Sequence, residues 1–144
     1  MAPGEEFEFS AGTVIAVAAH HPGTRWSLNA EPDGRALGFV IRSANRTIYY
    51  SGDSDYFSGF AEIGRTLAPD LALINISAHL HGSDALRAIE DLGSPLVIPL
   101  HHGAYLTSNE LRSIRWHEVI EHALGSRFIR LAVGETFPLS QLAR

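Results

Sequence analysis

The chain has 144 residues and a mass of 15.7 kDa, which suits one domain built on one core. With 45% apolar residues, 19% charged residues and a mean hydropathy of +0.02, its composition is that of a soluble globular chain, and wholesale disorder is excluded. The net charge is −5 and all 11 basic residues are arginine, which excludes lysine Schiff bases and Walker-type phosphate loops and argues against non-specific nucleic-acid binding. Cysteine is absent, so disulfides, thiolate zinc sites and cysteine nucleophiles are excluded. The longest apolar run, Val14–Ala19, falls far short of the roughly 20 residues a membrane helix needs. The acidic opening Met1–Glu6 has no apolar stretch behind it and does not read as a secretory signal, so the cytoplasm is the expected compartment.

No repeat and no linker divides the chain, and residues 1–144 read as a single domain. The first half is strand-like. Thr13–Ala19 is rich in β-branched residues, Ala36–Arg42 alternates, and Thr47–Ser51 is a short apolar run ending at Gly52. The period then lengthens, and Phe57, Phe60, Ile63, Gly64 and Leu67 fall on one helical face. Leu71–Ser77 reads as a buried strand. Ser83 or a neighbour caps a helix carrying Ala85, Leu86, Ile89 and Leu92, which Gly93 ends. Leu96–Leu100 is another apolar strand. Thr107 and Glu110 have the spacing of a capping box, opening a helix with Trp116, Val119, Ile120, Ala123 and Leu124 as its apolar stripe. That stripe places His117 and His122 on the surface. The helix stops near Gly125, and Arg127–Val133 reads as a closing strand. The sum predicts an α/β fold with helices layered on a mixed β-sheet.

The polar residues hold telling positions. Six of the eight histidines form three groups, His20-His21, His79-Leu80-His81 and His101-His102, each just after a predicted strand. Asp53 follows the strand before Gly52 in the same way. Loops at the carboxyl ends of strands converge on one edge of such a sheet, and ligands bind there. Imidazole with carboxylate is the donor set of a divalent cation, zinc ahead of manganese or iron. An open coordination position would then activate water at neutral pH. Gly52 and Gly103 suit sharp turns close to a ligand. Asp53 taken alone also suits a helix cap for the segment starting near Tyr56.

These segments resemble the metallo-β-lactamase fold superfamily, in particular its branch containing ascorbate-6-phosphate lactonase and N-acyl phosphatidylethanolamine phospholipase D. Ala18-Ala19-His20 with Arg25 is similar to that branch's Pro-Ala-x-His-x-Ser-x-Arg segment. Ile48–Phe57, centred on Ser51-Gly52-Asp53-Ser54, resembles its Tyr-Phe-Ala-Gly-Asp-Thr-Gly-Tyr segment, and Phe60–Gly64 continues the match. Asp70–Ile74 with the later His79 and Ala85 resembles an Asp-Leu-Ala-Leu-Leu-Pro stretch, and Ile98–Ala104 resembles Ile-Pro-Ile-His-Trp-Gly-Thr. The likeness runs from about Thr13 to Phe137.

The resemblance implies that His20 and His101 bind metal, that Asp53 bridges two metals, and that His79 approaches the substrate or a leaving oxygen. His21 and His102 rank below their neighbours. The superfamily's His-x-His-x-Asp-His motif belongs to an N-terminal half with no counterpart in this chain, so the resemblance implies the C-terminal half of an αββα sandwich. Leu73–Asp84 echoes that motif through His79 and His81 and gives His81 a secondary claim as a ligand.

The expected function is a metal-dependent hydrolase that attacks a phosphodiester, lactone, ester or amide of a small-molecule substrate. A half-fold exposes a sheet face, so a homodimer or a partner chain is expected to complete it. The alternative is a non-catalytic remnant, a metal-binding or interaction module of the same fold. A serine hydrolase using Ser51 or Ser54 lacks the Gly-x-Ser-x-Gly elbow, and no Gly-x-Gly-x-x-Gly follows a strand to bind a dinucleotide.

Overall fold

The structure, a computed structural model, describes residues 1–21, 36–76, 80, 82–93, 95–101 and 108–142, with the backbone alone over 108–115. Six strands form one sheet in chain order: β1 (Glu6–Phe9), β2 (Gly12–Ala18), β3 (Leu37–Ser43), β4 (Arg46–Tyr50), β5 (Leu71–Asn75) and β6 (Leu96–Leu100). β1 to β4 pair antiparallel, and β4, β5 and β6 pair parallel. Three helices follow the later strands: α1 (Gly59–Leu67), α2 (Ser83–Asp91) and α3 (Ser108–Leu124). The expected mixed sheet with helices is thus observed.

Strand pairing fixes which side chains share a face, because paired residues point the same way. Ile15, Val40, Tyr49, Ala72 and Val97 form one row across the sheet. They are buried under Phe60 and Ile63 of α1, Ala85, Ala88 and Ile89 of α2, and Ile120 and Leu124 of α3. Gly64 lets α1 and α2 touch, since a Cβ there would lie 2.1 Å from the Asp91 carbonyl oxygen. The opposite face carries the row Phe7, Val14, Ile41, Ile48, Leu71 and Leu96. Over its β4–β6 side lies the C-terminal segment, with Ile129, Leu131, Phe137, Leu139 and Leu142 packed on Leu71 and Ile98. Arg46 ties that segment down by donating from Nη2 to the Leu142 carbonyl while pairing with Asp70 at 3.5 Å. Toward β1 the same face is less covered, with Phe7 61% exposed and Val14, Phe39 and Ile41 half-buried, and Tyr50 at the end of β4 is 37% exposed.

Several expectations need correction. Arg127–Val133 forms no strand: a 3-10 turn occupies Gly125–Arg127, and one parallel bridge from Phe128 to Val97 is all that joins this segment to the sheet. The apolar residues Ile129 and Leu131 pack over the sheet instead of extending its edge. Among the described side chains of α3 the buried positions are His117, Ile120 and Leu124, whereas Val119 and Ala123 face outward. His117 is 3% exposed, and its Nε2 meets the Ile76 carbonyl at 2.8 Å, so it is a satisfied core residue; His122 is exposed as expected. Ser83 begins α2 without capping it; Gly82 holds the cap position, and Gly93 follows the end with φ +86°. Thr107 and its capping box lie outside the described residues. β1 was not anticipated, because its alternation of Glu6, Phe7, Glu8 and Phe9 is short and every residue in it is exposed. No helix among the described residues is long and apolar enough to cross a membrane.

Candidate functional site

β2, β4, β5 and β6 all run in one direction, so their carboxyl ends share one edge of the sheet. His20, Asp53 and His101 follow β2, β4 and β6 at that edge. Gly52 makes the Asp53 turn feasible. Its φ is +58°, and a Cβ would lie 2.9 Å from the Leu37 carbonyl oxygen, so a side chain meets both left-handed strain and a clash. Beyond that turn the loop crosses the start of β3 to reach the end of β2. The His20 N–H donates to Ser54 Oγ at 2.9 Å, and the Asp55 N–H donates to the His20 carbonyl at 2.7 Å.

Asp53 and His101 touch. His101 Nδ1 lies 3.0 Å from Asp53 Oδ1, with side-chain exposures of 56% and 41%, so the pair is open to a ligand. His101 holds φ +59°, a region sparsely populated by non-glycine residues and found at sites where surrounding structure enforces it. Asn75 Nδ2 donates to the same Asp53 oxygen, while Asn75 Oδ1 is buried with no hydrogen-bond partner among the described residues. Asp53 Oδ2 has no partner among the described residues. Sequence reasoning passed over Asn75; the available signal was one amide in the otherwise apolar run Leu71–Ile76. As an alternative helix cap, Asp53 is displaced by Ser58, which holds the cap position of α1.

The remaining candidates are placed less directly. The His20 ring stacks on Phe57 with centroids 6.1 Å apart, and among the described residues no three His, Asp or Glu side chains gather closely enough to share an ion. His21 is half-buried beside His20. His79, His81, His102 and Gly103 lie outside the described residues. Ser51 and Ser54 are fully buried, and each hydroxyl donates to a backbone carbonyl, of Gly52 and of Asp55 respectively, at 2.8 Å. Neither is presented as a nucleophile.

The donor chemistry fits a cation. Imidazole and ionised carboxylate are both zinc ligands, and Asp53 and His101 bring one of each together at this edge. Catalytic centres of this kind take three protein ligands, so the pair accounts for two.

The Beta-lactamase superfamily domain matches residues 1–102. A metal-dependent hydrolase of Thermofilum pendens is 31% identical over 113 residues, covering 76% of this chain and 48% of its own. The chain spans about half the length, or less, of the curated relatives it matches first. Among solved structures, isothiocyanate hydrolase from Delia radicum gut bacteria superposes with a TM-score of 0.63 at 18% identity, covering 96% of this chain and 59% of that one. The metallo-β-lactamase fold protein YhfI from Bacillus subtilis superposes with a TM-score of 0.59 at 16% identity, covering 91% and 51%. These structural likenesses are likenesses of fold.

Proposed function

The chain belongs to the β-lactamase superfamily and has the metallo-β-lactamase fold, and from that premise we propose that it is a metal-dependent hydrolase, or the half of one, with its centre at Asp53, His101 and His20. The observation that carries this reading is the Asp53–His101 contact at the edge where four strand ends meet. A divalent cation there, zinc ahead of manganese or iron, supplies Lewis acidity that polarises the scissile group and acidifies water. Asp53 contributes carboxylate charge with one oxygen uncommitted. His101, if neutral with its proton on Nδ1 toward Asp53, keeps Nε2 free as a donor atom. His20, whose backbone is bonded to the loop that carries Asp53 but whose ring is not gathered with the pair in this structure, is the third donor of this reading. His79 binds or protonates the substrate, with His81, His102 and His21 as secondary ligands. The substrate is a small molecule with a phosphodiester, lactone, ester or amide bond.

The test is purification without added metal, followed by a panel of phosphodiesters, esters and lactones. Asp53→Ala and His101→Ala should lose bound cation and hydrolysis together. Hydrolysis that survives in both variants overturns the reading. The second reading is a metal-binding module of the same fold without turnover, which bound cation with no hydrolysis across the panel would select.

We further propose that the chain works as a homodimer. This side of the sheet presents the exposed Phe7 and Tyr50 with the half-buried Val14, Phe39 and Ile41, an apolar surface of the kind that seeks a partner. A second copy of the chain, packing the same face on itself, is the partner proposed for this surface. Mass photometry should show a dimer that Phe7→Glu converts to monomer; a wild-type monomer at micromolar concentration contradicts the proposal.

A further inference from the structure

We propose that Asn75 is a positioning residue that sets the Asp53 carboxylate for cation binding; the inference rests on the reading of Asp53 as a ligand. Asn75 ends β5 and is 1% exposed. β5 is otherwise apolar, as Leu71, Ala72, Leu73 and Ile74, and Ile76 follows it. Burying an amide is unfavourable unless its groups find partners, so packing alone would favour leucine here. Among the described residues the amide is only half satisfied: Nδ2 donates to Asp53 Oδ1, and Asn75 Oδ1 has no partner. What the asparagine provides that leucine lacks is the donor to Asp53.

The surrounding bonds hold that donor in place. The Asn75 main-chain N–H donates to Ser51 Oγ at 3.0 Å, and the Ser51 hydroxyl donates to the Gly52 carbonyl at 2.8 Å. One serine thus ties the end of β5 to the glycine turn that presents Asp53. His101 Nδ1 meets the same Asp53 oxygen from β6, at 3.0 Å. Asp53 Oδ1 therefore accepts from a buried amide and, with the His101 proton on Nδ1, from an imidazole open to solvent. Two such contacts on one oxygen restrict the carboxylate rotamer and, among the described residues, leave the other oxygen uncommitted. Groups that orient a ligand in this way typically change metal affinity by about 10–100-fold when removed.

The experiment measures Zn2+ affinity by chelator competition in wild type, Asn75→Leu, Asp53→Ala and the double variant, with the melting temperature and the visible spectrum of the Co2+-loaded proteins. Asn75→Leu should weaken Zn2+ binding about 10–100-fold, alter the Co2+ bands, and leave the melting temperature equal or higher. In the Asp53→Ala background the same change should alter affinity less than twofold, because Asn75 acts through Asp53. An Asn75→Leu affinity within twofold of wild type overturns the inference, as does an equal loss in both backgrounds. Asn75→Ser, whose side chain is too short to reach Asp53, provides the same reading should the leucine variant fail to fold. Wild type that binds no divalent cation overturns both this inference and the metal centre beneath it, whereas tight wild-type binding unaffected at position 75 overturns this inference alone.

Discussion

Gly52→Ala tests the link between backbone and site most sharply, because Gly93→Ala supplies its control. Both glycines have positive φ, +58° and +86°, so alanine at either carries left-handed strain of roughly 1–2 kcal/mol, offset by about 0.4–1 kcal/mol through the stiffer unfolded chain. They differ in space. A Cβ at Gly93 meets nothing within 4 Å, whereas one at Gly52 lies 2.9 Å from the Leu37 carbonyl oxygen, a backbone atom held in the β2–β3 pairing. Gly93→Ala should therefore cost about 1 kcal/mol or less, and Gly52→Ala about 2 kcal/mol, a fall in melting temperature of roughly 4–10 °C. Relief of the clash moves the turn, and Asp53 moves with it, so only Gly52→Ala should also weaken Zn2+ binding. Calorimetry and chelator competition on the two variants read both effects. Equal losses of stability with wild-type Zn2+ affinity in both would refute the reasoning.

Burial raises the pKa of Tyr49 well above the usual tyrosine value of 10. A raised folded-state pKa means that the stability tied to the neutral phenol is intact below about pH 10 and is lost as pH rises through the folded pKa. Absorbance at 295 nm should therefore show fewer than all four tyrosines ionising near pH 10 in the folded protein, with the remainder accompanying alkaline unfolding; four ionising together while circular dichroism stays native would contradict this. Arg46→Ala removes the bond to the Leu142 carbonyl and the Asp70 pair, and should cost about 1–3 kcal/mol. Limited proteolysis should then cut within residues 129–142 before the sheet; unchanged cleavage would show that apolar packing alone holds that segment.

The sheet was legible where burial writes a strong pattern. β2, β3, β4, β5 and β6 fall within two residues of their sequence signals, because each packs an apolar row against helices or the C-terminal segment. β1 escaped because a short, wholly exposed edge strand needs no apolar run, only a neighbour to pair with. Arg127–Val133 misled for the opposite reason, since apolar residues that cover a sheet face read like residues within a strand. His117 was misplaced because a histidine on a helix is polar by composition, whereas a hydrogen bond to Ile76 lets it be buried. At the site, the order of strands and loops was enough to predict that His20, Asp53 and His101 lie at one edge. The direct Asp53–His101 contact and the role of Asn75 were not legible. They depend on how the Gly52 turn crosses β3, and no periodicity encodes that path.

The central claim is that Asp53 and His101 share a divalent cation, and elemental analysis of the native protein, purified without added metal, tests it most directly. At least one zinc, manganese or iron ion per chain is expected in wild type, falling below one tenth in both Asp53→Ala and His101→Ala. Wild type free of such ions that also fails to take up Zn2+ on titration, or variants that retain the wild-type content, would contradict it.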